Sequence, residues 1–94
     1  AVDLHAVCDE PQWTGYALGE GARSRLELSE RPGTVISIMP LGGSARITTG
    51  GLVYPLHDET VRSLSSLGLS NVAAKTSQSI EVLSGAVLVM VNRL

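Results

Sequence analysis

The chain has 94 residues, a formal net charge of −2, 44% hydrophobic residues and one cysteine. That length is a single domain, a lone Cys8 forbids an intrachain disulfide framework, and Arg23, Arg25, Arg31, Arg46, Arg62, Lys75 and Arg93 form no run of the kind direct nucleic-acid binding requires. There is no Phe, and Trp13, Tyr16 and Tyr54 are the only aromatics, so the core is aliphatic and thin, a condition that a partner subunit commonly remedies.

Residues 1–12 alternate loosely, with Val2, Leu4 and Ala6 against Asp3 and His5, and Pro11 ends the stretch. They read as an N-terminal arm or edge strand, ahead of one domain over 13–94. No leader with a charged and then an apolar region is visible, and the start at Ala1 fits removal of an initiator Met into a reducing cytoplasm. Residues 13–18 form a second short strand and 19–22 a turn. Residues 23–29 alternate cleanly, placing Leu26 and Leu28 inward and Arg25, Glu27 and Ser29 in water. Glu30-Arg31-Pro32-Gly33 is a strong turn. A β-branched strand over 34–40, a turn at 41–44 and a strand over 45–49 follow. Gly50-Gly51 turns the chain into 52–56, where Pro55 argues for an edge or a bulge.

Residues 57–69 hold the one helical pattern, with Asp58 as cap, Val61, Leu64 and Leu67 on one face, and Gly68 as stop. Several serines make an irregular loop the alternative there, so at most one short helix is expected near 58–67. Strands over 71–76 and 79–84 precede a turn at Ser84-Gly85 and a last strand, Ala86-Val87-Leu88-Val89-Met90-Val91. About seven or eight short strands at this spacing predict an all-β antiparallel sandwich, jelly-roll-like in style.

The residues offer little chemistry. His5 and Cys8 beside Asp9 and Glu10 are an incomplete zinc set, with only His57 left to add, so no metal site is expected. His57-Asp58-Glu59 puts a base beside carboxylates, but eleven serines make some nucleophile inevitable and none sits in G-x-S-x-G. The glycine-rich stretches at 19–21 and 41–44 open no helix and read as hairpin turns, not phosphate cradles. No cofactor is implied, and no apolar stretch reaches the ~18 residues of a membrane span.

The last strand has no polar residue between Ala86 and Val91. With Ala86, Leu88 and Met90 inward, Val87, Val89 and Val91 would stand in water, an invitation to edge association. Either residues 57–69 cover them or a neighbouring subunit does; the former are short and serine-rich, which favours the neighbour. Burying three valines is worth on the order of 4–6 kcal/mol. Trp13 and Tyr16 would anchor the N-terminal part of the same contact. An alternative groups Trp13, Tyr16 and Tyr54 as a carbohydrate- or surface-binding platform.

A serine-, threonine- and glycine-rich middle at 33–51 followed by an apolar hairpin at 78–94 resembles small β-sandwich virion proteins of tailed bacteriophages, of the capsid decoration, cement or head-fibre types. That resemblance implies a non-enzymatic structural protein, a homo-oligomer with a trimer favoured, contacting other virion proteins such as the major capsid protein, and located in the virion after assembly in the host cytoplasm. It carries no site motif.

Overall fold

The computed structural model describes residues 6–9, 11–21, 23–62 and 70–93. Their strands are β1 (Ala6–Asp9), β2 (Trp13–Gly19), β3 (Arg25–Leu28), β4 (Val35–Gly50), β5 (Glu59–Arg62), β6 (Asn71–Val72) and β7 (Gln78–Asn92). Every pairing between them is antiparallel, and none of the described residues is helical. The protein is an all-β antiparallel sandwich.

Two long strands organise it. β4 and β7 pair in two stretches, residues 35–41 with 86–92 and residues 46–50 with 79–84. Between those halves the register shifts, and the chain turns a corner that the sequence marks with Gly42-Gly43 on one strand and Ser84-Gly85 on the other. The stretches expected as separate turns are therefore bends within continuous strands. Gly85 needs to be glycine: its φ is 81°, and a Cβ would sit 2.8 Å from the Ser44 carbonyl oxygen and 3.1 Å from Ala45 Cα.

The corner folds one sheet, ordered β1-β2-β7-β4-β5 with β3 on β7 and β6 on β4, into two layers. The first holds β1, β2, the C-terminal half of β7, the N-terminal half of β4, and β6. The second holds β3, the other halves of β7 and β4, and β5. Inward rows from the first layer (Tyr16 and Leu18; Ile36 and Ile38; Val87, Val89 and Val91) meet those from the second (Leu26 and Leu28; Ala45 and Ile47; Ile80 and Val82; Val61) in one buried cluster. Side chains branched at Cβ suit this pleated, crowded interior and supply the volume that Phe would elsewhere.

The valine row faces the opposite way from the expectation. Val87, Val89 and Val91 have 0% exposure within the single chain, and Ala86, Leu88 and Met90 are the half-buried outer row. A row with no accessible surface offers a neighbour nothing to touch, so the interface reading of these three residues is corrected to intrachain core. The helical pattern at 57–69 is corrected in part: residues 59–62 are strand β5, paired with β4, and 63–69 lie outside the described residues. Residues 52–56 are not a strand. They keep one isolated bridge, Leu52 with Ala73.

Candidate functional site

Segment 52–58 crosses one side of the sandwich from β6 in the first layer to β5 in the second. At its start the Val53 amide donates to the Val72 carbonyl at 2.8 Å. At its far end the Thr49 amide donates to the Leu56 carbonyl at 2.8 Å, and the Leu56 amide donates to Thr49 Oγ1 at 2.9 Å. The Asp58 amide donates to Thr48 Oγ1 at 2.9 Å, and Arg46 pairs with the Asp58 carboxylate. Leu52 and Leu56 are buried in the core. These anchors leave Val53, Tyr54 and Pro55 exposed between them, and the Tyr54 side chain is 67% exposed.

The crest of this loop is held from below by Asn71, which is 1% exposed. Its Oδ1 accepts from the Tyr54 amide at 3.0 Å and from the Val72 amide at 3.0 Å, and its Nδ2 donates to the Tyr54 carbonyl at 2.7 Å. The side-chain amide thus pairs with the Tyr54 main chain as a neighbouring strand would, which satisfies a buried polar group and fixes the loop together. The result is an aromatic ring left in solvent on an immobilised backbone. Asp58 has a φ of 49°, a conformation Asp tolerates better than most residues and one that closes the loop onto β5.

A second buried amide works at one end of the sandwich. Gln78, 2% exposed, accepts from the Glu30 amide at 2.9 Å and donates to the carbonyls of Glu30 and Lys75 at 3.0 and 2.6 Å. Glu30 in turn takes a two-pronged contact from Arg93, Nε to Oε1 at 2.9 Å and Nη2 to Oε2 at 3.0 Å, while Nη1 donates to Thr14 Oγ1 at 2.7 Å. The hydrogen bonds and charge of Glu30, aided by Tyr16 and opposed by partial burial, hold the Arg93 guanidinium above its ordinary pKa. Beside this fork lies an open cleft of about 310 Å³, lined by Arg31, Pro32, Gly33, Thr34 and Arg93.

The aromatic residues do not form one platform. Tyr16 points into the core at 6% exposure. Trp13 is 41% exposed on β2, and the order β2, β7, β4, β6 and then the Val53 segment sets it four strand spacings, about 19 Å, from the loop that carries Tyr54. His57 is exposed on that loop; His5 lies outside the described residues, and of Cys8 the structure describes only the backbone. Among the described residues, no group of three or more His, Cys, Asp or Glu is placed to hold a metal ion. Sequence reasoning missed Asn71, Gln78 and Thr49. The available signal was an amide or hydroxyl two residues from an apolar inward residue: Asn71 from Ala73, Gln78 from Ile80 and Thr49 from Ile47.

The family model for thiamin pyrophosphokinase, vitamin B1 binding domain, matches residues 23–87. Among solved structures, thiamine pyrophosphokinase from Bacillus subtilis aligns at 17% identity with a TM-score of 0.74, over 89% of this chain and 39% of that one. Thiamin pyrophosphokinase from Candida albicans aligns at 13% identity and a TM-score of 0.70, over 89% of this chain and 31% of that one. A thiamin pyrophosphokinase family protein from Enterococcus faecalis gives 15% identity and a TM-score of 0.68, over 95% and 40%. These likenesses show the fold, and the chain spans two fifths or less of each of those structures. No curated protein matches the sequence.

These findings overturn the resemblance to phage decoration proteins, which rested on composition and strand style that many β-sandwiches share. With it go the non-enzymatic structural role, the trimeric homo-oligomer with capsid partners and the virion location: the matched family is that of an enzyme. The carbohydrate-binding alternative falls with the separation of its three aromatics.

Proposed function

The chain belongs to the thiamin pyrophosphokinase vitamin B1 binding domain family, and on that premise we propose that it supplies the vitamin-binding part of a thiamin pyrophosphokinase, with loop 52–58 as the contact. The observation that carries this is Tyr54, two-thirds exposed on a backbone clamped by a buried amide. A ring on a fixed backbone loses little entropy when a ligand docks, and Tyr offers a large apolar face with a polar tip for one. Thiamin suits it chemically. Its thiazolium is a cation and its aminopyrimidine is flat, so either ring can lie on the phenol face through cation–π attraction or stacking. The pyrophosphoryl transfer itself then calls on chain that the matched structures have beyond the part aligned here.

Thiamin binding measured by calorimetry tests this. Tyr54→Ala should weaken binding by about 3- to 30-fold, the range expected for one cation–π or stacking contact, with the fold retained because the side chain is exposed. Tyr54→Phe should bind nearly as the parent does. Equal affinity for the parent and Tyr54→Ala would remove the loop from the site.

A further inference from the structure

We propose that the cleft between turn 31–34 and Arg93 is a binding site for a tetrahedral oxyanion of the phosphate class, with Arg31 and Thr34 as its principal contacts. This site lies apart from loop 52–58, and nothing in the proposed vitamin contact uses it.

The turn is built to hold its two ends still. Pro32 fixes φ at the second position, Gly33 has a φ of 96° at the third, and the Thr34 amide donates to the Arg31 carbonyl at 3.1 Å, the pattern of a type II turn. The Gly33 amide donates to the Ala73 carbonyl at 2.8 Å and the Ala73 amide to the Thr34 carbonyl at 2.8 Å, so the turn is sewn to the residue after β6. Glu30, just before it, is held by Gln78 on its main chain and by Arg93 on its carboxylate. Arg31 and Thr34 therefore stand on either side of a rigid turn, within about 7 Å of each other at Cα.

Their side chains have unspent bonding capacity. Arg31 makes no ion pair among the described residues, and neither its guanidinium nor the Thr34 hydroxyl has a hydrogen-bond partner there. The local acid, Glu30, has both oxygens taken by Arg93, so its charge is already matched and Arg31 is left as the uncompensated cation of the cleft. A planar fork of N–H donors beside a hydroxyl matches the oxygens of a phosphate group better than a carboxylate-free apolar ligand. The open, polar cleft of about 310 Å³ accepts inorganic phosphate or the phosphate end of an ester. Thr34 and Leu52 are two strand spacings apart, about 10 Å, across Ala73, and Tyr54 lies two residues further along the loop.

Titration of the protein followed by ¹⁵N–¹H spectra, at constant ionic strength with chloride as the reference salt, tests the site. Inorganic phosphate should give saturable shifts at the Gly33 and Thr34 amides. Arg31→Ala should weaken that binding about tenfold, and Arg31→Lys by less, because a point charge replaces a fork. Tyr54→Ala should leave the inorganic phosphate arm unchanged, so failure here and failure of the vitamin reading are separable. Thiamin monophosphate forms the second arm. Binding tighter than inorganic phosphate, with the advantage lost in Tyr54→Ala, makes the phosphate that of a vitamin ester; equal binding makes it free phosphate. Shifts that chloride reproduces, or that Arg31→Ala leaves intact, overturn the proposal.

Discussion

Replacing Asn71 by alanine removes one side chain and orphans three main-chain groups at once, the Tyr54 amide, the Tyr54 carbonyl and the Val72 amide. Each hydrogen bond is worth about 1 kcal/mol net, and an unsatisfied buried partner costs about 1–3 kcal/mol. Water reaching the exposed loop recovers part of this, so the expected loss is about 2–4 kcal/mol. For a domain this small that is a large share of its stability and lowers the melting temperature by roughly 10–25 °C. Thermal melts monitored by circular dichroism measure it. Asn71→Asp separates the contributions: it keeps the acceptor for two amides but sets a second oxygen against the Tyr54 carbonyl, and should also destabilise. Thiamin affinity measured at low temperature, where the variant is still folded, should fall in Asn71→Ala because Tyr54 is no longer presented in one place. A melting temperature within about 3 °C of the parent would refute the clamp, since it would mean the loop is held by its other anchors alone.

Two further substitutions probe the frame around the site. Val89→Asp should abolish cooperative folding, since it buries an unpaired charge at a position with 0% exposure, at a cost above about 4 kcal/mol; a folded but dissociated protein would instead place the row at a subunit contact. Gly85→Ala should cost about 2–4 kcal/mol in urea unfolding, combining an unfavourable positive φ with a Cβ 2.8 Å from the Ser44 carbonyl oxygen. Parent-like stability there would show that the corner relaxes easily.

Class and composition were legible because period-two patterning and turn residues are local properties. The alternation of Arg25, Leu26, Glu27 and Leu28 became β3 with Leu26 and Leu28 buried, as read. Residues 52–56 misled because β-branched and aromatic content reads as strand, whereas Pro55 and the Asn71 clamp make a loop of them. The candidate site was the least legible part. Tyr54 stood out as one of three aromatics, but nothing near it in sequence announces Asn71, 17 residues on, as its support. The Glu30–Arg93 fork spans 63 residues. Such partners are set by topology, which periodicity does not encode.

The reversed valine row has a specific cause, and it locates the limit of pattern reading in this fold. Along β7 the inward residues are Gln78, Ile80 and Val82, all even-numbered, up to the corner; beyond it they are Val87, Val89 and Val91, all odd. β4 does the same, from Ile36, Ile38 and Pro40 to Ala45, Ile47 and Thr49. Carrying the even phase of Ile80 and Val82 through Gly85 would assign Ala86, Leu88 and Met90 to the core, the same inward set expected of the last strand when it is read as separate from 79–84. The phase changes because β7 passes from Ser84 to Val82 while β4 advances only from Arg46 to Ile47, leaving Leu83 as an extra, 36% exposed residue. A bulge that inserts one residue exchanges a strand's two faces. Both long strands must change phase at the same corner, or one layer would present its polar row to the core. An all-apolar strand tolerates either phase, so its own residues could not reveal which was used; the register with Ile36 and Ile38 across the ladder decides it.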